Sequence, residues 1–192
     1  MNPYFEFPPV SLSVDYPCPA GRILDIGGGG EGVIGRLHGA RVVAADLRLD
    51  ELTETPPGPC KAVLDARRLP FAAGSFAAAT AFFSLMYLNE ARDQLAVLLE
   101  TARVLPPGAE LHLWEVDLTR LPQTEQRVFV LPLHIRAGDA EISTSYGALL
   151  PPLPHGEAHY QRLAAAAGFR PLRSERQGNT FHLVFTRVHL IL

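Results

Sequence analysis

Lysine is almost missing from this 192-residue chain: Lys61 is the one lysine, and every other cationic side chain is an arginine. Lys and Arg number 17 against 20 Asp and Glu, a formal net charge of −3, so no global basic field advertises nucleic acid or an anionic membrane as a partner. Cysteine is equally scarce. Cys18 and Cys60 stand in unrelated contexts, which supports neither a disulfide framework nor a metal site. Long apolar runs are lacking too; the longest, residues 76–88, is interrupted by Thr80 and Ser84 and is too short to span a bilayer. The opening residues, MNPYFEFPPV, show no basic stretch followed by an apolar core, so no secretory signal is expected. The expectation is a cytoplasmic protein. Apolar residues at 47% and charged residues at 19% are an ordinary globular balance, and the length suits one domain with a full core.

Glycine, by contrast, is concentrated. In RILDIGGGGEGVIGRL, residues 22–37, five of the six positions from Gly27 to Gly32 are glycine, with Glu31 the exception. Glycine loses extra backbone entropy on folding, so such a run calls for either a flexible linker or a tight turn that approaches a ligand. The flanks favour the turn. Residues 22–26 read as a short buried strand, and Val33, Ile34 and Leu37 recur at helical spacing. A strand, glycine turn and helix aim backbone amides at an anion.

From residue 22 the chain alternates apolar runs with helical patterns, as parallel sheets with crossover helices do. Strands are expected at 22–26, 41–46, 61–65, 76–83 and 110–116, and helices at 32–38 and 89–105, the latter stopped by Pro106-Pro107-Gly108. Residues 47–60 leave room for only a short helix. Residues 1–20 read as an arm packed through Tyr4, Phe5, Phe7 and Tyr16. Residues 117–154 break the pattern with repeated prolines and two strand-like runs, 128–135 and 140–146. A helix at 157–167 ends on Gly168, and runs at 170–175 and 180–188 read as a closing hairpin around Gln177-Gly178-Asn179.

Three carboxylates, Asp25, Asp46 and Asp65, stand where expected parallel strands end, and ligands of open α/β sheets bind outside those ends. Gly27-x-Gly29-x-x-Gly32 also satisfies the dinucleotide fingerprint, with Asp46 spaced to hold a ribose diol. Two features oppose a nicotinamide enzyme: no second domain for substrate is evident, and Lys61 lacks the Tyr-x-x-x-Lys pairing of short-chain dehydrogenases. Asp25 is also out of place where that motif's strand ends apolar.

The series LDIGGGG, VVAADL, VLDARRLPFAAGSF, AFFSLMYL and RVLPPGAELHLWEV resembles the class I S-adenosylmethionine-dependent methyltransferases of the small-molecule kind. The resemblance covers roughly residues 20–116 and resumes with YQRLAAAAGFR and the terminal hairpin. It implies an α/β, Rossmann-like, doubly wound seven-stranded sheet in the order 3-2-1-4-5-7-6, the last strand antiparallel and supplied by residues 180–188. It further implies one methyltransferase domain over 1–192, lidded by the arm (1–20) and by the insertion after the fifth strand (117–154). Carried over position by position, Asp25, Gly27, Gly29 and Gly30 would hold the methionyl end of the cofactor and Asp46 both ribose hydroxyls. Asp65 and the backbone of Ala66 would bind adenine, with Phe83 and Ser84 beside the sulfonium. Its common pattern, Asp-x-Gly-x-Gly-x-Gly, is broken here by Glu31, which is expected to face the cofactor's ammonium or to cap the helix from outside.

The implied activity is direct displacement of the methyl onto a small-molecule acceptor; a regulatory module that keeps the cofactor site is the alternative. No Asn/Asp-Pro-Pro-Tyr motif follows the fourth strand, where SLMYL stands, which speaks against the amino-methylating nucleic-acid enzymes. Tyr87, Trp114, His134 and Tyr146 are the candidate acceptor-pocket residues, with Phe82 more naturally core. Glu115 and Asp117 flank the end of the fifth strand, and Arg67 and Arg68 follow Asp65; none is assigned as a catalytic base. His155 and His159, at i and i+4, invite a metal, yet they lack the zincin order and an obvious third ligand, so no metal is expected.

Overall fold

The computed structural model describes residues 3–15, 20–122 and 124–189. Tyr16 and Cys18 lie outside them. Two short strands open the chain, β1 (Phe5–Glu6) and β2 (Val10–Val14). The alternation then begins: β3 (Ile23–Ile26), α1 (Val33–His38), β4 (Val42–Asp46), α2 (Leu49–Glu54), β5 (Cys60–Val63), β6 (Ala78–Phe82), α3 (Ala91–Val104) and β7 (Glu110–Val116). A long hairpin follows, β8 (Val128–Ala137) and β9 (Ala140–Leu149), then α4 (Glu157–Ala166) and a second hairpin, β10 (Phe169–Gln177) and β11 (Thr180–Arg187).

Seven of these strands form one sheet, ordered β10-β11-β7-β6-β3-β4-β5. Numbered along the chain and read from β5, that is 3-2-1-4-5-7-6. β3, at its centre, pairs in parallel with β4 and β6, and all four of its residues are buried. Strands covered on both faces read as continuous apolar runs, which is why Ile23-Leu24-Asp25-Ile26 shows no polar alternation. β11 lies antiparallel to β7, Thr180 opposite Val116. At the edge, β10 is exposed beyond Phe169, carries Arg170, Arg173 and Arg176, and is interrupted by an irregularity between Pro171 and Arg173. Charge, proline and a bulge are ways to protect an open edge.

The two faces are covered differently. On one, Leu24, Ile26, Ala79, Ala81, Leu111 and Leu113 meet Val97, Leu98 and Ala102 of α3 and Tyr160 and Ala164 of α4. On the other, Ile23, Val42, Phe82, Trp114 and Val116 meet Val33 and Ile34 of α1 and a second, smaller sheet. β8 is the spine of that sheet. β9 runs antiparallel along one edge, while β1 and β2 pair in parallel with its two halves, Phe5 opposite Phe129 and Val10 opposite Leu133.

The N-terminal segment therefore does more than pack its aromatics. Val10, Leu12 and Val14 alternate inward with Ser11 and Ser13 outward, the period of a half-buried strand. β8 does the same: Phe129, Leu131, Leu133, Ile135 and Ala137 are buried, and His134 and Arg136 are exposed. No helix among the described residues is long and apolar enough to cross a membrane.

Candidate cofactor site

β3 delivers Asp25 to the rim as a buried carboxyl. The Thr80 hydroxyl of β6 donates to its Oδ1 at 2.7 Å. Burial pushes the Asp25 pKa up to about 7, against the pull of the Thr80 hydrogen bond and with the repulsion of Asp46 added. The glycine turn follows directly. Gly27 and Gly28 both donate their N–H to the Ala45 carbonyl, at 2.8 and 3.3 Å, lashing the turn to β4.

The glycines are required in large part by the protein's own packing. A Cβ on Gly27, at φ 69°, would lie 2.4 Å from the Cβ of Ser84; one on Gly29 would lie 2.5 Å from the Cβ of Glu51 in α2. The turn is wedged between the end of β6 and α2. Helix α1 behind it spans six residues with no side-chain cap, so dipole and amide arguments contribute less than the sequence pattern suggested.

Asp46 closes the next strand. Its Oδ2 accepts from Gly29 N–H at 3.3 Å and its Oδ1 from Arg48 N–H at 2.9 Å, which fixes the carboxylate beside the glycine turn. Leu47 beside it is 67% exposed, an apolar side chain on an otherwise polar rim that the sequence reading passed over. Asp65 is in a different situation. Arg67 grips it with Nε and Nη2 at 3.0 and 2.8 Å, donates its backbone N–H to Oδ1, and holds the carboxyl below its usual range. Arg67 also reaches Asp93 at 3.4 Å, so it is a paired surface cation. Ala66, next to Asp65, packs half-buried on the core.

Beyond β6 the backbone turns sharply. Phe83 has φ 50°, the one positive φ outside glycine among the described residues, and donates its N–H to the Trp114 carbonyl at 2.9 Å. A bulky side chain in the left-handed region is a real conformational cost, held here by the buried ring and this hydrogen bond. The turn presents Ser84 toward Gly27, and the Ser84 Oγ is buried without a hydrogen-bond partner. Residues 85–88 are clamped from below. Glu115 accepts from Leu85 and Met86 N–H at 2.8 and 3.1 Å, and the Gln94 amide donates to the Leu85 and Leu88 carbonyls. Burial pushes the Glu115 pKa up to about 8, and its Oε2 has no partner.

The remaining candidates separate. Tyr87 is exposed on this turn. Trp114 is buried under the small sheet, stacked 4.0 Å from the His182 ring, so it is a packing residue. His134 is on the solvent face of β8, bonded to Ser143, away from the rim; its position opposite the inward-facing apolar parity is the reason. Tyr146 does reach the site, lining a cavity of about 20 Å³ with Asp25, Gly27, Gly28, Gly29 and Phe82. Asp117 is buried in an ion pair with Arg176 at 2.6 Å and accepts from Thr119 N–H.

His155 and His159 stack at 4.0 Å and both bond the Gln94 side chain; among the described residues no group of three metal-binding side chains forms. Glu31 does not cap helix α1. Its carboxylate accepts from the Thr144 hydroxyl and, at 3.0 Å, from the Tyr146 hydroxyl of β9. A larger groove, about 550 Å³, opens where β7 ends, between Asn89–Glu90 and Pro152–His159, with Asp117, Arg162 and Arg176 in its wall.

Sheet order, glycine turn and acid-lined rim define a Rossmann-like fold, in which the carboxyl ends of the strands are the usual place for a ligand. The family model described as a methyltransferase domain matches residues 24–113, from β3 through β7. Solved structures agree in fold. A methyltransferase from Methanosarcina mazei superposes with TM-score 0.64 at 19% identity, covering 87% of this chain and 92% of that one. One from Clostridium acetobutylicum gives 0.63 at 13%, covering 90% and 86%. The S-adenosylmethionine-bound amino pentose methyltransferase CalS10 from Micromonospora echinaspora gives 0.59 at 21%, covering 88% and 84%. No curated protein matches the chain. The central part of the chain thus matches the methyltransferase-domain model, and the whole described fold is similar to that of S-adenosylmethionine-dependent methyltransferases.

Proposed function

We propose that this rim holds S-adenosylmethionine through Asp25, Gly27, Gly29, Gly30 and Asp46, and that the protein passes the methyl to a small-molecule acceptor by direct displacement. The observation that carries the reading is the pair formed by Asp46, fixed beside the turn by Gly29 and Arg48, and the unpartnered Ser84 hydroxyl facing Gly27. Two adjacent carboxylate oxygens suit a ribose diol, since a hydrogen bond to a charged acceptor contributes about 1.5–3 kcal/mol. Exposed Leu47 offers an apolar wall for adenine, and Phe83 lies beside Ser84 as a wall for the reacting end. Asp65 serves adenine only through whatever acceptor capacity Arg67 leaves, so the backbone of Ala66 carries more of that contact.

The cofactor supplies a methyl group activated on a sulfonium. The protein's part is to hold an acceptor in line with it, which by itself can provide most of the rate. The clamped turn 85–88 and the groove at the end of β7 are suited to that task. At about 550 Å³ the groove has the size of a small-ligand site, and the net charge of −3 offers no basic track for nucleic acid. A cytoplasmic setting fits the free, exposed Cys60 thiol, which an oxidising compartment would tend to consume.

Calorimetry with S-adenosylmethionine, S-adenosylhomocysteine and NAD, repeated on Asp46→Ala, tests the cofactor half. Binding of the first two and not NAD, weakened in the variant, is expected; NAD binding alone would overturn the reading. Methyl transfer to a panel of small amines, phenols and carboxylates tests the acceptor half.

A further inference from the structure

Glu31 occupies a position where glycine would be expected, yet it is neither a helix cap nor a solvated surface charge. Its half-buried carboxylate takes two hydroxyl donors from one face of β9, Thr144 and Tyr146, which stand two residues apart. Among the described residues no cation pairs with it; Arg36 bonds its backbone carbonyl instead. Tyr146 continues inward to line the cavity beside Asp25 and Gly27–Gly29, its ring 5.8 Å from that of Phe83. Among the residues around that cavity, Tyr146 alone comes from the small sheet.

The cavity, about 20 Å³, has room for about one water molecule. The amino-acid end of a methionine-derived cofactor is several times larger. The rest of the lining is Asp25 and Phe82 of the main sheet, the glycine turn and the start of α1, so the tyrosine, from the separate small sheet, is the wall that can yield. Burial and the charge of Glu31 both hold the Tyr146 hydroxyl protonated, which keeps it a donor to Glu31.

We propose that Glu31 and Tyr146 form a latch over the methionyl seat. Closed, the tyrosine stands in the seat with its hydroxyl on Glu31; open, the β9 strand lifts away and Glu31 exchanges that hydroxyl for the cofactor's ammonium. The exchange is favourable for the carboxylate, because a charged donor makes a stronger hydrogen bond than a neutral one. Glu31 is thus a binding residue for the amino-acid end, and the small sheet is the gate that admits it. The inference rests on the cofactor reading above.

Stopped-flow binding and calorimetry test it with two nucleosides. S-adenosylhomocysteine carries the ammonium; methylthioadenosine keeps the adenosine and thioether but lacks the amino-acid end. Tyr146→Phe removes only the hydroxyl, so it should bind S-adenosylhomocysteine about tenfold faster and tighter, with methylthioadenosine unchanged. Thr144→Val should give a smaller gain of the same sign. Glu31→Gln keeps one oxygen to accept a hydroxyl and so only weakens the latch, but it loses the charged acceptor for the ammonium, so it should bind S-adenosylhomocysteine about tenfold more weakly than Tyr146→Phe does. Unaltered binding in Tyr146→Phe, or equal gains for both nucleosides, would overturn the latch. Equal affinities in Glu31→Gln and Tyr146→Phe would overturn the ammonium assignment. Wild-type protein that binds neither nucleoside would overturn the cofactor reading instead. Thermal unfolding of each variant confirms that the fold is intact.

Discussion

The two faces of the seven-stranded sheet bury comparable apolar rows but obtain their cover from different parts of the chain. The α3/α4 face is covered by helices that follow β6 and precede β10, each close in sequence to the strands it shields. The opposite face takes its cover from α1 and from strands that meet across more than a hundred residues, β2 with β8. Their buried polar groups differ accordingly. Under α3 and α4, Glu115, Gln94, His155 and His159 are bonded into a scaffold that holds the 85–88 turn still. Under the small sheet, Trp114, His182 and His112 form a stacked column, and the sheet's outer strand reaches the cofactor rim through Thr144 and Tyr146. The helical face buttresses the 85–88 turn, whereas the sheet face meets the glycine turn through Glu31.

The largest test of this contrast is truncation of each cover. Phe129 in β8 and Leu98 in α3 are both essentially fully buried. Phe129→Ala should cost about 3–5 kcal/mol and Leu98→Ala about 2–5 kcal/mol in urea unfolding. One shared transition in both variants would show a single cooperative unit. A separate early transition in Phe129→Ala alone would show that the small sheet opens by itself, as a gate can.

Next in size is the scaffold under the turn. Glu115→Ala leaves the Leu85 and Met86 N–H groups without their acceptor and should cost about 1–3 kcal/mol, with Glu115→Gln milder because one oxygen remains. The pH dependence separates the same residues. The Glu115 pKa is raised from 4.5 to about 8 in the folded state, which then binds more protons than the unfolded chain, so stability falls as pH rises through that window. Glu115→Gln should flatten that fall in a series of urea midpoints.

On the other face the sign reverses. Burial holds the His182 pKa down from 6.5 to about 3, so the unfolded chain binds the extra proton and stability falls as pH drops below 6.5. His182→Phe keeps a ring against Trp114 and should recover about 2 kcal/mol of the loss between neutral pH and pH 5. His159, whose pKa lies at about 4, should produce the same trend from the helical face. The smallest effect belongs to His134. On the solvent face of β8 it touches neither cover, so His134→Ala should leave unfolding within about 0.5 kcal/mol and cofactor affinity unchanged.

Much of the frame was legible along the chain. Glu110–Val116 is a strand with the expected limits, α3 ends just before Pro106, and Gly168 follows α4 with a positive φ of 89°. Asp25 and Asp46 stand at or near the ends of parallel strands, where the apolar runs placed them. β2 was less visible, because five residues of VSLSV are a short sample of a period of two. The facing of His134 is legible too: Phe129, Leu131, Leu133 and Ile135 share one parity, and His134 has the other.

Glu31 and Asp65 mark where such reading stops. Each is an acid in a loop that follows a parallel strand, and local sequence does not say what either carboxylate meets. Asp65 is claimed by Arg67 two residues on, while Glu31 is claimed by Thr144 and Tyr146, more than a hundred residues away. Apolar periodicity, glycine turns and proline stops are local constraints of backbone sterics and hydrophobic burial, so the sequence by itself determined the elements, the central sheet and the acid-lined rim. Which side chains meet across that rim depends on strand register and on the closing of long loops. Only the tertiary structure could decide that a hairpin after β7 would lay a tyrosine against the glycine turn.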